Sequence, residues 1–260
     1  MSLTRRINRR AVLAGVAASA VQVVMPRGFA AETRIPALIA QTRGDATISQ
    51  RIDRISHALI GTRYLGYTLI GGPKKPEQFV MRDDGFDCVT FCETVLAAAM
   101  AQNMAEFETS LRRIRYRDGV VEWRARNHYF YEWRINNVDN GVCRPVAMDD
   151  PMFIEKSLDT PPELGKRHIV FPAIPRATLL ANKDLLLPGD IVGIVSMRSW
   201  LDYYHTGFIA FGDKGELMLR HASKTYGRVI NEPMQQFVSE NHVRCVTLLR
   251  PRDIAPPAHV

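Results

Sequence analysis

The 260-residue chain predicts an α+β fold in which helices come first and an antiparallel sheet follows. Three observations carry that expectation. Apolar residues recur at helical spacing between 48 and 59, a breaker-poor stretch runs from Cys88 to Gln102, and the last third consists of short β-branched runs between turns.

In chain order, residues 1–30 read as an export address. Asn8, Arg9 and Arg10 precede an apolar run from Ala11 to Met25, and Gly28-Phe29-Ala30 supplies small residues for cleavage. The run is shorter than the roughly 20 residues that span a bilayer. Its arginine pairs, Arg5-Arg6 and Arg9-Arg10, point to the twin-arginine route and to a periplasmic mature protein, with an uncleaved membrane anchor as the alternative. No cysteine follows the run to accept a lipid. The remainder, 31–260, is expected to be one domain.

Ile48, Ile52, Ile55 and Leu59 mark the first helix, with Asp45 or Thr47 as its cap and Gly61 at its end. A Gly-, Pro- and Lys-rich loop (71–78) leads to Asp83-Asp84-Gly85-Phe86-Asp87-Cys88. From there a mostly buried helix is expected, with Cys88 in its first turn. Phe107, Leu111 and Ile114 mark a third helix. Residues 116–175 combine the polar–aromatic run Arg126 to Trp133 with many prolines and are expected to form an inserted lobe. Leu187-Pro188-Gly189-Asp190 is a turn, 191–195 a strand, 206–211 and 217–220 the arms of a hairpin, and 243–249 a final strand.

The charge balance excludes some functions. The chain carries 34 basic and 27 acidic residues. Removing the five arginines of the leader leaves 29 against 27, a net of +2, so the pI of 9.4 belongs largely to the leader. Nothing in that balance favours nucleic acid. Cys88, Cys92, Cys143 and Cys245 are too few and too scattered for a disulfide scaffold and fit no zinc spacing.

Cys88 is the candidate nucleophile. A thiol attacks as thiolate, and the positive end of a helix dipole favours that form, with Asp87 as the expected N-cap. The hairpin adds two histidines. A three-residue loop at Gly212-Asp213-Lys214 would pair Phe211 with Gly215 and set His205 opposite His221, on one face of the sheet. One imidazole could then serve as base and the other as its orienting partner. Satisfied strand histidines are the competing reading, and a one-residue slip would separate the pair.

The motifs Gly61-Thr62-Arg63-Tyr64, Phe86-Asp87-Cys88-Val89-Thr90-Phe91, Leu187-Pro188-Gly189-Asp190-Ile191-Val192, His205-Thr206-Gly207-Phe208-Ile209 and His221-Ala222-Ser223 follow one another in this order. In this they resemble the NlpC-like peptidoglycan peptidases. The resemblance implies a papain-like fold, Cys88 as nucleophile, His205 as base and His221 as orienting residue; the order Cys before His speaks against the permuted branch of that superfamily. Within it, Ile114-Arg115-Tyr116-Arg117-Asp118-Gly119, Arg126-Asn127-His128-Tyr129-Phe130 and Trp200-Leu201-Asp202-Tyr203-Tyr204-His205 are similar to the N-acetylmuramoyl-L-alanine amidase-like family, first catalogued as a domain of unknown function. Cys92 and the bulky aromatic pair before His205 depart from the usual pattern.

That resemblance implies hydrolysis of the amide between N-acetylmuramic acid and L-alanine in peptidoglycan or muropeptides, without metal or cofactor. The Cys88 N–H and the Tyr64 hydroxyl are candidate oxyanion donors. Arg126, Asn127, His128 and Asp202 are candidate substrate contacts, the first three competing with a role as an internal polar network and Asp202 with a turn cap. Arg112, Arg113, Arg115 and Arg117 are expected to form a solvated face. Rival functions are a γ-D-glutamyl–diamino acid endopeptidase and an inactive wall-binding module.

Overall fold

The computed structural model describes residues 33–253, so the expected export segment lies outside the described residues. Helices α1 (Ile35–Thr42) and α2 (Ile48–Ala58) open the fold. Thr47 caps α2 in a reciprocal box with Gln50, which satisfies two backbone donors at the helix start. A two-stranded ribbon, β1 (Ile70–Gly72) with β2 (Lys75–Gln78), precedes α3 (Cys88–Met100), α4 (Met104–Arg115) and α5 (Phe130–Asp139).

The sheet strands are β3 (Cys143–Val146), β4 (Met152–Leu158), β5 (Arg167–Pro175), β6 (Ile191–Val195), β7 (Tyr203–Phe211), β8 (Leu217–Ser223), β9 (Arg228–Pro233) and β10 (Cys245–Pro251). Helix α6 (Arg176–Ala181) follows β5, and α7 (Met234–Glu240) follows β9. Their antiparallel order is β4-β5-β10-β6-β7-β8-β9, with β3 also paired to β10. The α+β expectation is met, with helices packed on an antiparallel sheet.

Each face of the sheet has its own core. Helix α3 is buried without interruption from Thr90 to Ala99, because its Val, Leu and Ala run gives it no polar face to turn outward. It packs with α1, α2 and α4 on one face. Met234, Phe237 and Val238 of α7 cover Ile194, Ile209 and Leu219 on the other.

Residues 116–175 are folded into the sheet rather than set apart as a lobe. Strand β5 pairs with β10 through Cys245↔Pro175 and Val246↔Ile174, and β3 pairs with β10 through Leu248↔Val146 to Pro251↔Cys143. The reason lies in β5, where Ile169, Phe171 and Ala173 alternate with exposed residues and enter the main core.

Candidate active site

Local sequence places Cys88. Asp87 Oδ1 accepts the Thr90 N–H at 2.8 Å, and Thr90 Oγ1 accepts the Asp87 N–H at 3.0 Å. This box starts α3 one residue after Asp87 and leaves the thiol half-buried at the first turn. Tyr64 is brought beside it by a short parallel bridge to Phe86, in which Leu65 N donates to Phe86 O and Phe86 N to Arg63 O.

A cleft of about 680 Å³ opens over the thiol, lined by Tyr64, Tyr67, Cys88, Arg126, Asn127 and His128 among others. Beneath it Glu93 of α3 and Arg115 of α4 form an ion pair at 2.7 Å, both side chains 3 % exposed, and Arg115 also donates to Val80 O. Arg115 is therefore no part of a solvated face, whereas Arg112 lies against Phe79 and pairs with Glu108. Tyr67 stands at the rim, fully exposed and at φ 60°, a left-handed backbone that costs a bulky residue about 1–2 kcal/mol.

The polar residues of the opposite wall are engaged with the protein. Arg126 Nη1 donates to both oxygens of Glu77, at 3.0 and 3.3 Å, and Glu77 also accepts the Tyr116 hydroxyl at 2.9 Å. Asn127 donates to Ile114 O and accepts from Asn136; His128 Nε2 lies 2.7 Å from Trp123 O. Gly71 is required here, since a Cβ would sit 1.9 Å from Glu77 Oε2. Asp202 is absent from the cleft lining. It is buried, and its oxygens accept Tyr131 N, at the start of α5, and Tyr203 N, both at 2.7 Å.

The histidines meet, but by a different register from the expected one. Phe211 pairs with Leu217 and Phe208 with Arg220, because a five-residue connection closes on Glu216 O and Gly215 in a left-handed turn. The partner shifts by two residues, which preserves the face. Carried one step further, this register sets Gly207 against His221, where a Cβ would meet the His221 Cβ at 2.9 Å. His205 lies two residues along on the same side, and its Nε2 is 2.6 Å from His221 Nδ1. The diagonal repeats on β9, where His221 pairs with Ile230 and its Nε2 lies 3.0 Å from Glu232 Oε2. Phe237 packs against both rings.

The backbone N–H of Thr206, the residue after His205, lies at the Cys88 thiol. Helix α3 packs on Thr206 and Phe208, which alternate with His205; Cys92 Sγ lies 3.9 Å from Thr206 Oγ1. A bulge at Tyr204, between the Ile194↔His205 and Val195↔Tyr203 pairs, breaks the alternation beside His205. Among the described residues no hydrogen bond joins Cys88 Sγ to His205.

Burial dominates the electrostatics. It pushes the Cys88 thiol up to about 12, aided by the Asp87 charge and opposed by the backbone N–H groups of Thr206, Val89 and Cys88. Burial and the neighbouring His221 lower His205 to about 3, and burial lowers His221 to about 4. Thiol and imidazoles rest neutral, so the dipole of α3 does not by itself yield a thiolate, and proton transfer to a base is needed.

Sequence reasoning did not single out Glu232, Phe237, Glu77 or Tyr67. Glu232 follows a Gly227 turn and the β-branched pair Val229-Ile230, a signal sufficient for a further strand. Glu77 sits in a Pro-containing segment with no strand pattern.

The N-acetylmuramoyl-L-alanine amidase-like (AmiA-like) family model matches residues 54–246. No curated protein matches the chain. Among solved structures, an N-acetylmuramoyl-L-alanine amidase from Bacteroides uniformis aligns with TM-score 0.68 and 25% identity, over 79% of this chain and 99% of that one. A Legionella pneumophila protein matching the family model DUF1460 aligns with TM-score 0.72 and 21% identity, over 84% and 93% of the two chains, a likeness of fold.

Proposed function

The chain belongs to the N-acetylmuramoyl-L-alanine amidase-like family, and from that premise we propose that it is a papain-like, NlpC-type cysteine amidase. Its substrates are peptidoglycan-derived muramyl peptides, and the bond cut joins the muramic lactyl carbonyl to the nitrogen of L-alanine. The observation that carries the reading is Cys88 at a capped helix start on the wall of a cleft, its thiol beside the backbone N–H of Thr206, the residue that follows His205 of the buried His205–His221 pair.

In this reaction Cys88 loses its proton to His205 and attacks the lactyl carbonyl. The oxyanion takes the Cys88 backbone N–H, with Tyr64 beside it. The tetrahedral intermediate collapses by breaking the C–N bond, and the imidazolium gives its proton to the departing alanine nitrogen. Water, deprotonated by His205, then cleaves the thioester and releases the muramic acid and the free thiol. The exposed ring of Tyr67 offers a flat apolar face for the sugar at the rim of the cleft. Export through residues 1–30 would place the enzyme with its substrate in the periplasm.

Mass analysis of the products from an anhydro-muramyl tetrapeptide tests the bond. Release of the intact peptide and the sugar is expected; release of muramyl-L-alanyl-D-glutamate would assign the endopeptidase activity instead. Cys88→Ala removes the nucleophile with Ala tolerated at a first helical turn, so turnover should be abolished in a folded protein. Near-wild-type turnover would remove the cysteine mechanism.

A further inference from the structure

We propose that Glu232 is a positioning residue, which fixes the tautomer of His221 and through it that of His205, leaving His205 Nδ1 as the nitrogen that exchanges the Cys88 proton. The proposal rests on the cysteine-amidase reading above. Its direction comes from the order of groups along the chain of contacts.

An ionised carboxylate only accepts hydrogen bonds, so the 3.0 Å contact with Glu232 Oε2 puts the proton of His221 on Nε2. A neutral imidazole carries one N–H, which makes His221 Nδ1 a lone pair. The 2.6 Å contact at that atom is then a hydrogen bond donated by His205 Nε2–H. His205 Nδ1 is left unprotonated, and among the described residues it is the one nitrogen of the two rings without a protein hydrogen-bond partner.

The surroundings hold the arrangement. Glu232 and His221 are 6 % and 2 % exposed, and both imidazoles lie against Phe237, which keeps water from competing for their nitrogens. Each link is a strand diagonal, His205 on β7, His221 on β8 and Glu232 on β9, so the backbone ladders set the spacing. When His205 takes up the proton, its positive charge is delocalised toward a buried negative charge two hydrogen bonds away. Glu240 of α7 is the other acid whose charge reaches Glu232. Burial, and after it the Glu240 charge, raise the Glu232 carboxyl, and the histidine tautomers report which form it holds.

The test is nitrogen-15 NMR of the histidine-labelled full chain near neutral pH, with ring signals assigned by single substitutions. Nε2–H tautomers are expected at both His205 and His221. Glu232→Gln, whose amide oxygen still accepts, should keep both tautomers and most of the rate. Glu232→Leu should leave His221 a mixture of tautomers and lower kcat on a muramyl peptide by about ten- to a hundredfold, the scale seen for partners that orient functional imidazoles, with KM unchanged. An Nδ1–H tautomer at His221 in the wild type would overturn the proposal, and that measurement stands even if Glu232→Leu fails to fold. Unchanged tautomers and kcat in a folded Glu232→Leu would also overturn it. The NMR outcome does not depend on substrate identity, so it separates from failure of the amidase reading, which shows as turnover by Cys88→Ala or as a different product.

Discussion

The two sides of Cys88 are held in different ways. On the sheet side, His205, His221 and Glu232 stand on three consecutive strands, and each link is set by backbone pairing. On the rim side, Tyr64 to Gly72 has little ladder of its own: a bridge at Tyr64↔Phe86, a bond from Tyr64 N to Gly227 O, and the short β1–β2 ribbon. What ties that ribbon to α4 and to Arg126 is one buried carboxylate, Glu77, between Tyr116 and Arg126. Proton transfer tolerates little displacement, so it belongs on the rigid side; substrate contact can use the adjustable one.

The comparison breaks most sharply at His205. His205→Ala should lower kcat by about 10²–10⁴-fold while leaving the fold and substrate affinity intact. Steady-state kinetics with matched thermal melts check this, and an equal loss in KM would place His205 in binding instead.

Glu77→Ala addresses the rim. Loss of the acceptor for Arg126 and Tyr116 should cost about 1.5–3 kcal/mol of stability in urea unfolding and raise KM more than it lowers kcat. A fall confined to kcat would show that the two sides are mechanically coupled.

The sheet side should also report through pH. Both relay histidines bind protons less readily in the folded chain than at the ordinary 6.5. The unfolded chain therefore takes up protons first, and stability present above about pH 6.5 is lost as pH falls toward about 4. Urea midpoints across this range should decline, and the His205→Ala/His221→Ala double variant should decline less.

Tyr67→Gly sharpens the contrast with the smallest effect. Relief of the left-handed backbone, offset in part by glycine's entropy, should raise stability by about 1 kcal/mol or less. Loss of the aromatic face should raise KM for a muramyl peptide and leave kcat nearly unchanged. A lower KM would mean that the ring obstructs the cleft.

Much of this was encoded locally. The Asp87–Thr90 box and the Thr47 cap are contacts within four residues, so residue type placed the start of α3 after Asp87 and narrowed that of α2 to Asp45 or Thr47, of which the structure uses Thr47. The same holds for the shared face of His205 and His221, since strand alternation has a period of two and survives a slip of two. Tertiary structure decided what depends on distant partners. The length of the turn after Phe211 set which residue lies opposite His221. The pairing of β9 brought Glu232 to its ring, and Glu93 drew Arg115 inward from an otherwise polar helix. Strands β3 and β5 joined the sheet because β10, whose paired residues lie 70 (Cys245 to Pro175) to 108 (Pro251 to Cys143) positions further along the chain, offered its edge. Such choices rest on burial and on hydrogen-bond partners far away in sequence, and a local pattern carries no record of them.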